Sequence, residues 1–134
     1  VIVLDASAAL EVLLQTRAAG PIADRMFDPD QTVHAPELLD VEVVQILRRF
    51  WLGGELHDER GRQALADLRD LPLERYRHDP LLPRVWELRG NMTAYDAVYV
   101  ALAEALDAPL VTCDGRLARA MPPGIKVEVF PSSG

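Results

Sequence analysis

Four acidic residues sit where one fold could gather them: Asp5, Glu42, Asp96 and Asp114. Asp5 ends the apolar run Val1–Leu4, and Asp114 follows the strand pattern Leu110–Thr112. Asp96 stands three residues after Thr93, at the start of a helical pattern. Glu42 lies at the margin of an arc of Leu39, Val43, Ile46, Leu47 and Phe50, plotted at about 100° per residue. Gathered carboxylates repel one another, and burial raises the cost. Protons or divalent cations must offset that charge. Oxygen ligands without histidine favour Mg²⁺ or Mn²⁺ over zinc. Such an ion orients water, lowers its pKa and stabilises charge on a phosphoryl group in transfer. The chemistry suggested is metal-dependent phosphodiester hydrolysis.

Taken singly, each acid has an ordinary explanation. Asp5 can be a turn or cap residue, and Asp114 before Gly-Arg-Leu is a good helix cap. Thr93-Ala-Tyr-Asp96 fits a capping box. Glu42 alone reads as a solvated-edge glutamate, and Asp107 as a turn residue. Ser7 reads as the cap of the first helix, with a hydrogen bond to an acidic site as its other use. Arg49, two turns along from Glu42, is a surface arginine or a phosphate contact. Glu104 is a solvated acid suited to serve as a control. His34, His57 and His78 lack metal-ligand spacing, and neither a phosphate-cradling G-x-x-x-x-G-K-[ST] nor a G-x-G-x-x-G occurs. Cys113 reads as buried packing. The remaining arginines are spread out, mostly on solvated faces, with some available to line an RNA path.

The elements that must position these residues alternate. Strands are expected at Val1–Leu4, Thr32–Ala35, Leu73–Tyr76, Leu110–Thr112 and Ile125–Phe130. Helices are expected after Ser7, over Thr16–Phe27 with a break near Gly20-Pro21, from Pro36 to about Leu52, and over Asp58–Leu71 and Asp79–Arg89. Two more run from Thr93 to before Pro109 and from Asp114 to about Ala120. Pro36 suits a helix's first turn, and Pro131–Gly134 reads as a loose tail. The alternation predicts an α/β fold, three layers α/β/α with a small, mostly parallel central sheet. Ligands collect at the C-terminal edge of such sheets, where Asp5 and Asp114 fall.

The 134 residues suggest one domain, 1–134, and 49% hydrophobic content allows a real core. No apolar run is long enough to span a bilayer, and no signal-peptide pattern opens the chain, so a cytoplasmic protein without a membrane partner is expected. The single cysteine excludes an internal disulfide. A net charge of −7 argues against general electrostatic adhesion to nucleic acid but not against a local basic groove.

Three stretches together resemble a known family: V-I-V-L-D-A-S-A-A-L at Val1–Leu10, P-E-L-L-D-V-E-V-V-Q-I-L-R-R at Pro36–Arg49, and T-A-Y-D-A-V-Y-V-A-L-A-E-A-L-D-A-P-L-V-T-C-D-G-R-L at Thr93–Leu117. They look like PIN-domain proteins, and more narrowly like VapC-type ribonuclease toxins of toxin–antitoxin systems. The resemblance implies a PIN-like nuclease that cuts single-stranded or looped RNA at a Mg²⁺ or Mn²⁺ site. By motif, that site would comprise Asp5, Glu42, Asp96 and Asp114, with Glu42 acting through a water of the ion. It also implies a homodimer and a cognate VapB-like antitoxin. The segment Gly54–Arg89 is less diagnostic.

A signalling module of the phospho-acceptor receiver class is the competing reading, as is a binding partner without hydrolysis. A receiver needs an acidic pair after its first strand and a late lysine near the site. Here Ala6 follows Asp5, and the only lysine is Lys126.

Overall fold

The apolar run at the start of the chain forms β1 (Ile2–Leu4), all three residues buried, as a central parallel strand requires. It lies in the middle of a five-stranded sheet, between β2 (Val33–Pro36) and β4 (Leu110–Thr112). β3 (Leu73–Tyr76) and β5 (Val127–Val129) form the edges, giving the order β3-β2-β1-β4-β5. Every pairing is parallel. Val3 stands opposite His34 on one side and Leu110 on the other. The computed structural model describes residues 1–132. Of the tail expected at Pro131–Gly134, Pro131 and Ser132 carry no regular structure, and the rest lies outside the described residues.

Helices α1 (Ala6–Leu13), α2 (Ala19–Met26), α3 (Leu38–Leu52) and α4 (Asp58–Asp70) pack with one another. Elsewhere α6 (Ala94–Leu106) packs on β1, β2 and β4 and against α5 (Leu82–Glu87). The short α7 (Gly115–Ala120) follows β4. Seven consecutive residues of α6, Ala97–Ala103, are buried, so this helix is covered almost all round. Leu102 and Ile2 are among the largest fully enclosed side chains. Truncating such a residue to Ala costs about 2–5 kcal/mol.

The structure moves several expected boundaries. Asp5, not Ser7, caps α1: its side chain accepts the Ala8 N–H. The second helix starts at Ala19, and Gly20-Pro21 lies in its first turn, where a missing N–H costs nothing. The chain breaks instead at Gln15, which adopts φ +53°. Pro36 ends β2 opposite Tyr76 rather than starting a helix. The Asp79–Arg89 helix divides into a 3₁₀ turn (Asp79–Leu81) and α5, with Pro80 and Pro83 near the two starts. The last strand shortens to Val127–Val129. Its Glu128 is clamped by Arg25 of α2 through two hydrogen bonds of 2.7 and 2.9 Å.

Candidate active site

Asp5 directly follows β1 and is only 6% exposed. Its Oδ1 accepts from Ser7 Oγ at 2.7 Å and from the Ala8 N–H at 3.1 Å. Its Oδ2 accepts from Thr112 Oγ1. A carboxylate offers about four lone-pair positions, so one direction stays open, on Oδ2. The two hydroxyls spend their single protons on Asp5 and still accept from backbone: Ser7 from the Cys113 N–H and Thr112 from the Asp114 N–H, each at 2.9 Å. Burial pushes the Asp5 carboxyl above its usual range, against those donors, and the charge of Asp114 adds to the push.

Glu42 is half-buried on α3, and Tyr99 of α6 donates to its Oε1 at 2.6 Å. Burial raises the Glu42 pKa, the Tyr99 bond lowers it, and the charges of Asp5 and Asp96 raise it further. Tyr99 is 2% exposed. Its own hydroxyl is held protonated well above the ordinary range, by burial first and then by Glu42.

Thr93 caps α6, accepting the Asp96 N–H at 3.2 Å, so half of the expected capping box is present. The Asp96 carboxyl is raised by burial and by Asp114, and partly lowered by Arg116. Asp114 caps α7, accepting from the Arg116 and Leu117 N–H groups at 2.9 and 3.4 Å. All four acids thus keep ordinary local roles or anchors, yet they act on one another. Asp5 feels Asp114, Asp114 acts on Asp96, and Glu42 feels both Asp5 and Asp96. They form a closed ring of repulsion at the C-terminal edge of the sheet.

The donor set is all oxygen, which suits Mg²⁺ or Mn²⁺. Among the described residues no three acidic, histidine or cysteine side chains stand close enough to enclose a bare ion. That fits an ion that keeps several of its waters, as Mg²⁺ does when one or two carboxylates hold it. It does not fit a closed structural zinc site.

Beside the ring lies a cleft of about 670 Å³. Ser7 and Asp114 belong to its lining, whereas Asp5, Glu42 and Asp96 do not. Cys113 also lines it, with its thiol pushed up to about 11 by burial first and then by Asp5, so it rests protonated. Arg49 is exposed and is not part of this lining. Glu104 is no bare surface acid: Arg84 donates to both its oxygens at 2.8 and 3.0 Å. Two histidines are structural. His34 is buried between Thr32 and Tyr76, and His78 Nε2 accepts the Leu38 N–H at the start of α3. Tyr99 and Thr112, which donate to Glu42 and Asp5, are the neighbours of the acids that the sequence did not reveal. The one available signal was a polar residue inside an otherwise apolar helix face or strand.

Parallel strands with a carboxylate ring at their C-terminal edge define the class: an acid-cluster α/β domain. Residues 2–121 match the family model described as the PIN domain. The chain belongs to the PIN-domain family, and within it to the VapC-type branch. It is 41% identical over 128 residues to Ribonuclease VapC12 of Mycobacterium tuberculosis, covering 96% of this chain and 98% of that one. Ribonuclease VapC1 of the same organism is 45% identical over 128 residues, covering 95% and 94%. Among solved structures, VapBC2 from Rickettsia felis bound to a promoter DNA fragment aligns with a TM-score of 0.71 at 15% identity, covering 96% of this chain and 98% of that one. The fold expected from the alternation of elements is therefore the fold observed.

Proposed function

We propose that this protein is a Mg²⁺- or Mn²⁺-dependent endoribonuclease, the toxin of a VapBC-type pair. The observation that carries the reading is the ring of Asp5, Glu42, Asp96 and Asp114, three of them with carboxyls raised by burial and by one another. Such an arrangement is costly without a cation. The relatives at 41–45% identity named as VapC ribonucleases support the activity. Asp5, Asp96 and Asp114 would hold the ion directly or through its waters, with Glu42 beside it. When bound, the ion supplies charge stabilisation for the phosphoryl group and a more acidic water.

The chain's own residues do the rest. Ser7, Ala8 and Thr112 fix Asp5 in one orientation before any ligand arrives. Tyr99 occupies Glu42 Oε1, which leaves Oε2 to take a proton from the attacking water. The raised Glu42 pKa brings that carboxylate nearer the range where a general base is effective. Water adds to phosphorus, the bond to one ribose oxygen breaks, and that oxygen leaves with a proton.

A VapB-like antitoxin is the inferred protein partner, since neighbours in fold are described as toxin–antitoxin complexes. A second copy of this chain is the other. Exposed Trp51, Val44 and Leu65 on α3 and α4, and exposed Trp86 and Leu82 on α5, supply apolar surface for such contacts. The test of function is cleavage mapping on total cellular RNA with Mg²⁺, Mn²⁺ or chelator. Discrete cuts that need the metal are expected. Intact RNA under every condition, from folded protein free of antitoxin, overturns the proposal.

A further inference from the structure

The cleft beside the ring has features that hydrolysis itself does not need. Its 670 Å³ falls within the roughly 300–1,000 Å³ of pockets that take drug-sized ligands, a class that includes a nucleotide. Phe50 and Ile46 supply apolar lining, and Arg116 and Arg119 share it. Other arginines are tied down: Arg25 to Glu128, Arg75 to Asp40 and Arg84 to Glu104. Arg119 makes no ion pair among the described residues, and its Nη1 lies over Gly115, 3.4 Å from where a Cβ would stand. Arg116 reaches Asp114 Oδ1 only at 3.8 Å, with its side chain 87% exposed. An exposed pair of that kind is weak and readily exchanged for another anion. Glu11 and Glu55 also line the cleft, from α1 and the turn after α3. The positive charge therefore comes from α7, directly after the acid Asp114.

We infer that Arg116 and Arg119 bind the backbone phosphate next to the one that is cut, with that nucleotide's base against Phe50. The ligand is single-stranded RNA, because a base in a duplex has no face free to stack on an aromatic ring. The inference rests on the ribonuclease reading and adds a substrate path to it: the strand leaves the acidic ring along α7.

The test is fluorescence anisotropy of a labelled, randomised single-stranded RNA 12-mer in chelator, titrated between about 50 and 200 mM salt. The parent protein should bind. Arg116→Ala and Arg119→Ala should each weaken binding severalfold and flatten the slope of log affinity against log salt, and the double variant should lose about 0.7, the contribution of one phosphate on a single strand. Arg119→Lys keeps the charge and should keep the slope. Phe50→Leu should weaken binding with the slope unchanged. Circular dichroism confirms folding, and Arg119, which forms no ion pair among the described residues, is the cleanest position. Arginine variants with parental affinity and slope, or a parent that does not bind, overturn the inference. So do variants that no longer bind a protein partner but still bind RNA like the parent. If RNA binds as expected but is never cut with any metal, the ribonuclease reading falls while the binding assignment stands. If cutting is normal and the variants bind like the parent, the assignment falls alone.

Discussion

At the residue scale the proposed site is a set of acids whose charges oppose one another. Asp→Asn keeps the shape and removes the charge an ion needs. Asp5→Asn and Asp96→Asn should therefore abolish metal-dependent RNA cleavage while circular dichroism stays native. Glu42→Gln should lose activity less completely. Exposed Glu59 is the proper control, since Glu104 is bound to Arg84. Asn suits position 5 well: its oxygen can accept from Ser7 and Ala8, and its amide can donate to Thr112. The pH dependence follows from the same residues. Asp5, Glu42 and Asp96 are raised in the folded protein above 3.8, 4.5 and 3.8 respectively. The folded state then binds more protons than the unfolded one. Their contribution to stability is full below those unfolded values and is lost as pH rises through the folded ones. In chelator, as pH rises above 4.5, the parent should lose stability relative to Asp5→Asn, read from melting temperatures of the two proteins at each pH. A difference between them that does not change with pH would contradict the raised Asp5 carboxyl.

At the element scale, strand register decides which side chains meet. β4 brings Thr112 to Asp5, 107 residues away in the chain, and α6 brings Tyr99 to Glu42, 57 residues away. Local pattern could not show either contact, because both donors look like ordinary members of a buried strand and a buried helix. The same limit explains the smaller misses. Ser7 and Asp5 are both good caps two residues apart, and only the turn out of β1 selects Asp5. Arg49 shares a sequence stripe with Glu42, yet the cleft takes its cations from α7. What was legible were the strands and where the four acids fall on the elements, since apolar runs, caps and the carboxylates that end them are local signals. The edge strand β5 gives a prediction of its own. Arg25→Ala removes two charge-assisted hydrogen bonds to Glu128, each worth about 1.5–3 kcal/mol when well shielded and less at this partial exposure. Hydrogen exchange should speed up at the Leu110 and Phe130 amides, which bond across β4 and β5, while β1 amides stay protected. Uniform loss of protection would mean that β5 is not a separable edge.

At the scale of the whole molecule, the net charge is −7, and a cation held by the proposed site should stabilise the fold. Mg²⁺ or Mn²⁺ at about 100 times its dissociation constant adds about 2.7 kcal/mol. For a domain of this size that corresponds to on the order of 8–10 °C in melting temperature. The shift should disappear in Asp96→Asn. An equal shift in both proteins would place the ion elsewhere. Self-association is checked by light scattering, where a dimer is expected, and Trp86→Glu or Trp51→Glu should identify the face that carries it. No described helix is long and apolar enough to cross a membrane.

The position of β1 between β2 and β4 has a consequence in time. On the ribosome, Asp5 is made well before Thr112, 107 residues later, which donates to its Oδ2, and before Asp114, whose charge it feels. At synthesis rates of about 5–20 residues per second, the oldest member of the ring waits roughly 5–20 s for the youngest. Until β4 slides in beside β1, a growing chain holds that carboxylate with Ser7 and Ala8 alone as donors and without Asp114 beside it. On the proposed reading, strand order alone keeps the ribonuclease site incomplete until β4 is in place. A nascent chain stalled before Leu110 should accordingly leave its own messenger uncut.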